Sequence, residues 1–309
     1  MIFILDTCTI NNLLQVDLIN NDEDEYYLEY DYLSMIGQQF KIKLPQKNYN
    51  ELKDTFAKNF SDGGKIKFIR NYMSRNIYSY LDHANNIDFN SSLAFIKSIC
   101  PKYLNEDNGE LHSTAYALYL SRYNTKNLAF QTYFVTDDDE AIQDFKSIFR
   151  INFLGEILTT IDLLLILSIY EVISYKNVMD FAHNLKKQYI KNYNDLLFQI
   201  QALQSPIGKL LPEDKFSAKE SSFLSKLYQD VDALDLEEIK HDMENPEYES
   251  IKRRQRNIMG KPEYKSVKKE QKNIDLSLNK LLNEDLKKVR VLDKKIEEIK
   301  SQYWTMDKI

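Results

Sequence analysis

Apolar residues along this chain follow two kinds of pattern, and the switching between them predicts an α/β fold. Ile2–Leu5 is a continuous apolar run, β-branched and aromatic-rich, and reads as a strand buried on both faces. At Asp6 the chain turns to Thr-Cys-Thr and then to Ile10, Leu13 and Leu14 at helical spacing. Phe40–Leu44 alternates and stops at Pro45, while Thr132–Thr136 and Ile151–Leu154 are further strand-like runs. Helices are predicted from Asn50, with Asn48 or Asn50 as cap and Glu51 in the first turn, and over Lys65–Leu81 and Ser91–Ile99. Others follow around Ala115, Leu118 and Tyr119, over Glu140–Phe149, and over the apolar stretch 157–174. Ser61-Asp62-Gly63-Gly64 reads as a turn, and the acidic stretch 20–32 as a solvated loop or helix start.

Beyond Ser174 no strand-like run remains, which divides the chain into an α/β domain, 1–175, and an all-helical extension, 176–309. Leu278, Leu282, Val289, Leu292, Ile296, Ile299 and Tyr303 follow alternating steps of four and three, with Asp285 as the polar member of the seam. That spacing over 278–303 suits either a short coiled coil or a long amphipathic helix packed back on its own domain.

Charge is unevenly spread. The net charge is −6, yet residues 251–309 hold 17 Lys and Arg against 9 Asp and Glu, leaving 24 against 38 in residues 1–250. Cys8 and Cys100 are too few for a disulfide framework, so reduced thiols in the cytoplasm are expected. The opening apolar run lacks a basic flank and does not read as a secretory signal. Residues 157–173 are interrupted by Asp162 and Glu171, short of the roughly 20 apolar residues that span a bilayer.

Four acids occupy equivalent structural places. Asp6 follows the first strand, Glu51 opens the helix after the second, Glu110 opens a helix after Gly109, and Asp138 follows the strand Thr132–Thr136. In a parallel sheet the carboxyl ends of strands and the amino ends of helices share one edge, so these side chains can meet. Four carboxylates together are costly unless cations neutralise them, and hard divalent ions such as Mg²⁺ or Mn²⁺ suit an all-oxygen site.

These segments resemble the PIN-domain nucleases: ILDTCTINNL around Asp6, NEL around Glu51, NGELHSTAYAL around Glu110 and YFVTDDD around Asp138. The resemblance covers roughly residues 1–160. It implies a three-layer α/β/α domain with a parallel sheet, and metal-dependent hydrolysis of RNA by Asp6, Glu51, Glu110 and Asp138. Asp6, Glu110 and Asp138 would hold the ion, with Asp137 an alternative to Asp138 and Asp107 a competitor of Glu110. Thr7 and Thr136 would orient carboxylates or water, and Asn11 is a further polar candidate. Toxin-type or antiphage endoribonuclease roles follow from the family, although DNA is not distinguished from RNA.

The segment 252–272 holds nine basic residues against two acids, with Lys252, Arg253, Arg254 and Arg256 at its head. It suits a nucleic-acid backbone, an acidic partner or a solvated linker. The helical extension is expected to contact a protein partner or a second copy. His83, His112, His183 and His241 show no ligand spacing, and His112 reads as a surface helix residue. A catalytically idle domain serving as an assembly subunit through its helical tail is the competing reading.

Overall fold

The computed structural model describes residues 1–21, 25–59, 63–82, 86–123, 131–190, 193–204, 216–260, 274–282 and 286–303. Two compact units are present, Met1–Phe181 and Ala182–Ile309.

The first unit is built on a five-stranded parallel sheet. Its strands are β1 (Ile2–Leu5), β4 (Lys41–Pro45), β5 (Leu81–Asp82), β6 (Thr132–Val135) and β7 (Ile157–Leu158), in the order β5-β4-β1-β6-β7. Between β1 and β4 lie helix α1 (Thr7–Asp17), an antiparallel hairpin of β2 (Leu18–Asn21) and β3 (Glu25–Leu28), and α2 (Tyr32–Gln39). Both faces of β1 are covered, as its unbroken apolar run requires. Ile2 and Ile4 join a core with Phe89, Tyr116, Phe134 and Phe149, while the ring of Phe3 lies 5.0 Å from Phe40 and 5.3 Å from Tyr133. The chain passes from β1 to β4 on one side and later returns to β6 on the other. The carboxyl end of β1 is therefore the switch point of the sheet, where open α/β sheets form a crevice.

Helices α3 (Gln46–Asn59), α4 (Gly63–Arg75), α5 (Ile87–Ile99), α6 (Gly109–Tyr123), α7 (Asp139–Ile151), α8 (Thr160–Ile169) and α9 (Tyr175–Tyr189) complete the connections, and the division between units falls within α9. Several expected boundaries move. Strand β4 runs into α3 without a loop, so the helix starts at Gln46, Asn48 and Asn50 lie inside it, and Glu51 sits in its second turn. The acidic stretch 20–32 supplies part of the hairpin in its described residues, while its end is a helix start, with Asp31 capping α2 and Tyr32 opening it. The predicted helix 65–81 stops at Arg75, and its last residue belongs to β5.

Ile151–Leu154 is not a strand. The stripe of Phe145, Ile148 and Phe149 carries α7 through Ile151, after which Phe153 takes a positive φ and the Leu154 amide closes on the Phe149 carbonyl. The strand lies at Ile157–Leu158, inside the stretch expected to be helix. Asp162, which looked like an interruption, closes a capping box with Thr159 and starts α8 there.

Beyond α9, the described elements of the second unit are helices: α10 (Tyr193–Gln204), α11 (Ala218–Ala233), α12 (Leu236–Met243), α13 (Pro246–Gly260), α14 (Ile274–Lys280) and α15 (Leu286–Tyr303). Leu196, Leu224, Leu227, Tyr248, Ile251, Leu278 and Val289 are among its core residues. The heptad-like seam is shared between α14 and α15, and its members Leu278 and Val289 pack into the unit's own core, which is the packed-back arrangement. Asp285 and residues 261–272 lie outside the described residues. Among the described residues, no helix is long and apolar enough to cross a membrane.

Candidate functional site

Asp6 stands at the switch point, where β1 gives way to α1, and is only 4% exposed. It occupies the N-cap position, yet its side chain does not cap the helix. One carboxylate oxygen, Oδ1, accepts the Asn48 amide at 3.0 Å; the other, Oδ2, accepts the Thr136 hydroxyl at 2.9 Å and the Cys8 thiol at 3.0 Å. Burial raises the Asp6 pKa, and the Cys8 and Thr136 hydrogen bonds work against that rise. The Cys8 thiol is pushed up by burial and by the neighbouring charges of Asp6 and Asp137, which keeps it a donor.

The other acids arrive from three further elements. Glu51, on α3, accepts the Gly109 amide at 2.9 Å, and burial together with the Asp6 charge raises its pKa. Glu110, in the first turn of α6, is raised to about 8 by burial and then by the charges of Asp6, Asp138 and Glu51, in that order. Asp138 is exposed and caps α7, accepting the amides of Glu140 at 2.8 Å and Ala141 at 3.2 Å. Its own amide donates to the Thr136 hydroxyl oxygen at 3.1 Å, so one threonine links Asp6 with Asp138.

Asp137 does not join this group as a free ligand. It accepts the Asn12 amide at 2.7 Å, the Thr160 backbone amide at 2.9 Å and the Thr160 hydroxyl at 2.5 Å, tying α1 to the start of α8. The Asp137 oxygens are used in this way, while the charge of Asp138 is one of those that raise Glu110. Asp107 pairs with Lys47 at 3.0 Å and with His112 at 2.6 Å, and does not replace Glu110. His112, on α6, is hydrogen-bonded to Asp107, with its ring 5.7 Å from that of Phe89.

The smaller candidates divide. Thr136 binds Asp6 directly; the Thr7 hydroxyl reaches the Asn48 backbone carbonyl at 3.3 Å and hydrogen-bonds Glu51, and the Thr7 backbone amide donates to Asp6. Asn11 accepts from Gln15 along α1 and takes no such place; its neighbour Asn12 holds Asp137. Asn48, Ser113 and Cys8 are site residues that the motifs did not single out. A signal existed for two of them: Asn48 lies three residues before Glu51 and Ser113 three after Glu110, each sharing a helix face with its acid.

In the second unit, Lys252 and Arg254 are engaged internally. Lys252 pairs with Glu249 and Asp275 and lies 5.1 Å from the Tyr248 ring centre; Arg254 pairs with buried Glu220 at 3.4 Å. Arg253 and Arg256 are exposed, and these two remain of the expected basic quartet.

The donor set fits a hard divalent cation chemically: four carboxylates that feel one another's charge and no thiolate or imidazole among them. Among the described residues, no three His, Cys, Asp or Glu side chains form a ready-made metal-binding array. No protein-family model matches the chain, and comparison with curated proteins and with solved structures finds no match.

Proposed function

We propose that the first unit is a divalent-metal-dependent nuclease acting on RNA. The observation that carries this reading is the electrostatic state of Glu110, whose carboxyl is held at about 8 by burial and by three other acids from separate elements. Grouping like charges at the crevice of a sheet is expensive, and a cation relieves the cost. Asp6, Glu110 and Asp138 would hold Mg²⁺ or Mn²⁺, which supplies water activation and stabilisation of phosphate oxyanions when bound. Asp6 anchors the site through its hydrogen bonds, Glu51 keeps α3 and α6 together, and Glu110 carries a proton until a cation displaces it. The resemblance to PIN-domain nucleases favours RNA and 5′-phosphate products, in a toxin-type or antiphage setting. Exposed Arg253 and Arg256 would contribute phosphate contacts.

A second reading, an idle domain used for assembly, is favoured by one observation. Asp6, Glu51 and Asp138 each already accept hydrogen bonds that hold the fold together. Incubating the protein with single-stranded RNA and single-stranded DNA, with Mn²⁺ or with EDTA, separates the two. Cleavage of RNA that needs Mn²⁺ and disappears in Asp6→Asn supports the nuclease. No cleavage of either polymer, or equal cleavage by Asp6→Asn, removes it.

A further inference from the structure

We infer that Asn48, backed by Ser113, is a positioning residue that holds the Asp6 carboxylate in the orientation that binds a cation. This inference rests on the metal-dependent reading above. Asn48 and Ser113 are both fully buried, on α3 and α6, and neither position is explained by apolar packing. The Ser113 hydroxyl donates to the Asn48 side-chain carbonyl at 3.3 Å, which turns the Asn48 amide nitrogen toward Asp6. A chain of three buried polar groups therefore runs from α6 through α3 to the end of β1.

The distribution of donors on Asp6 gives the chain its meaning. Thr136 and Cys8 hold Oδ2, Asn48 holds Oδ1, and the Thr7 backbone amide also donates to the carboxylate. Asn48 thus fixes Oδ1 and, with it, the rotation of the group about its own bond. The donor is neutral: a lysine or arginine here would cancel the charge of Asp6, while an amide orients it and leaves the charge for a cation. The same side chain lies beside Gly109, where a β-carbon would meet its nitrogen at 2.9 Å and Glu51 Oε2 at 2.5 Å, so orientation of Asp6 and approach of Glu51 are set at one point.

The test is calorimetric titration with MnCl₂ of the wild-type full chain and of Asn48→Ala, Asn48→Leu and Ser113→Ala, each checked for folding by circular dichroism. Asn48→Leu fills nearly the same space without a donor. Loss of Mn²⁺ affinity of roughly 10–100-fold in both Asn48 variants, and a smaller loss in Ser113→Ala, is the expected result. Wild-type affinity in Asn48→Leu would show that only volume matters and would overturn the inference. Should Asn48 variants fail to fold, Ser113→Ala decides: unchanged affinity overturns it. Absence of Mn²⁺ binding in the wild type instead removes the metal-dependent reading, and the inference with it.

Discussion

The Glu51 carboxylate accepts the backbone amide of Gly109 at 2.9 Å, joining α3 to the first residue of α6 across the mouth of the sheet crevice. That bond sets Glu110 beside Glu51. A side chain on Gly109 would collide with both Glu51 and Asn48. Gly109→Ala is expected to push α6 away, lowering stability by roughly 1–3 kcal/mol and Mn²⁺ affinity with it. Denaturant unfolding and metal titration measure the two effects.

Glu110 makes the unit's stability depend on pH in an uncommon direction. Its folded pKa of about 8 lies above the ordinary 4.5, so folding takes up a proton between those values. The associated stability is fully present below about pH 4.5 and is lost as the pH rises through about 8. Melting temperatures of the metal-free protein should therefore show a loss across that window. Glu110→Gln should reduce this loss, leaving the part owed to the other raised acids such as Asp6 and Glu51, and Mn²⁺ should offset it in the wild type. A Glu110→Gln profile identical to that of the wild type would contradict the assignment.

Asp137 and Asp138 are adjacent, yet their substitutions should have different consequences. Asp137→Ala removes the carboxylate that accepts from the Asn12 amide and from the Thr160 amide and hydroxyl, costing roughly 1–3 kcal/mol of stability. Asp138→Asn retains an oxygen that can cap α7, and should weaken Mn²⁺ binding more than stability. Calorimetric titration and thermal melts on the two variants separate these roles.

Removing residues 252–309 does not isolate the basic segment, because Ile274, Leu278 and Val289 belong to the core of the second unit. The direct test is Arg253→Ala with Arg256→Ala. If both side chains meet phosphates, the slope of log affinity for RNA against log salt should fall by about 2. An unchanged slope removes them from the interface. Lys252→Ala should act on stability instead, through Glu249 and Asp275.

Much of the sheet was legible from local pattern. Ile2–Leu5 and the apolar run preceding Asp137 are buried strands because no polar residue interrupts them, and their parallel pairing follows from the helices between them. Boundaries that depend on tertiary partners were not legible. The apolar run Ile151–Leu154 closes a helix because Leu154 turns back on Phe149, and Ile157–Leu158 becomes a strand because β6 offers its edge. At the candidate site the acids were marked by their places after strands and at helix starts. Asn48 was hidden because its role needs a hydrogen bond across 42 residues, and asparagine near a helix start ordinarily reads as a cap.

The proposed nuclease requires Asp6, Glu110 and Asp138, from three separate elements, to share one divalent ion at the end of β1. Anomalous diffraction from crystals soaked in MnCl₂ tests it most directly. A Mn²⁺ peak at coordination distance from the Asp6 carboxylate, with Glu110 and Asp138 turned toward it, is the predicted result. Clear density for the three side chains with no peak between them, or a peak bound elsewhere, would contradict it.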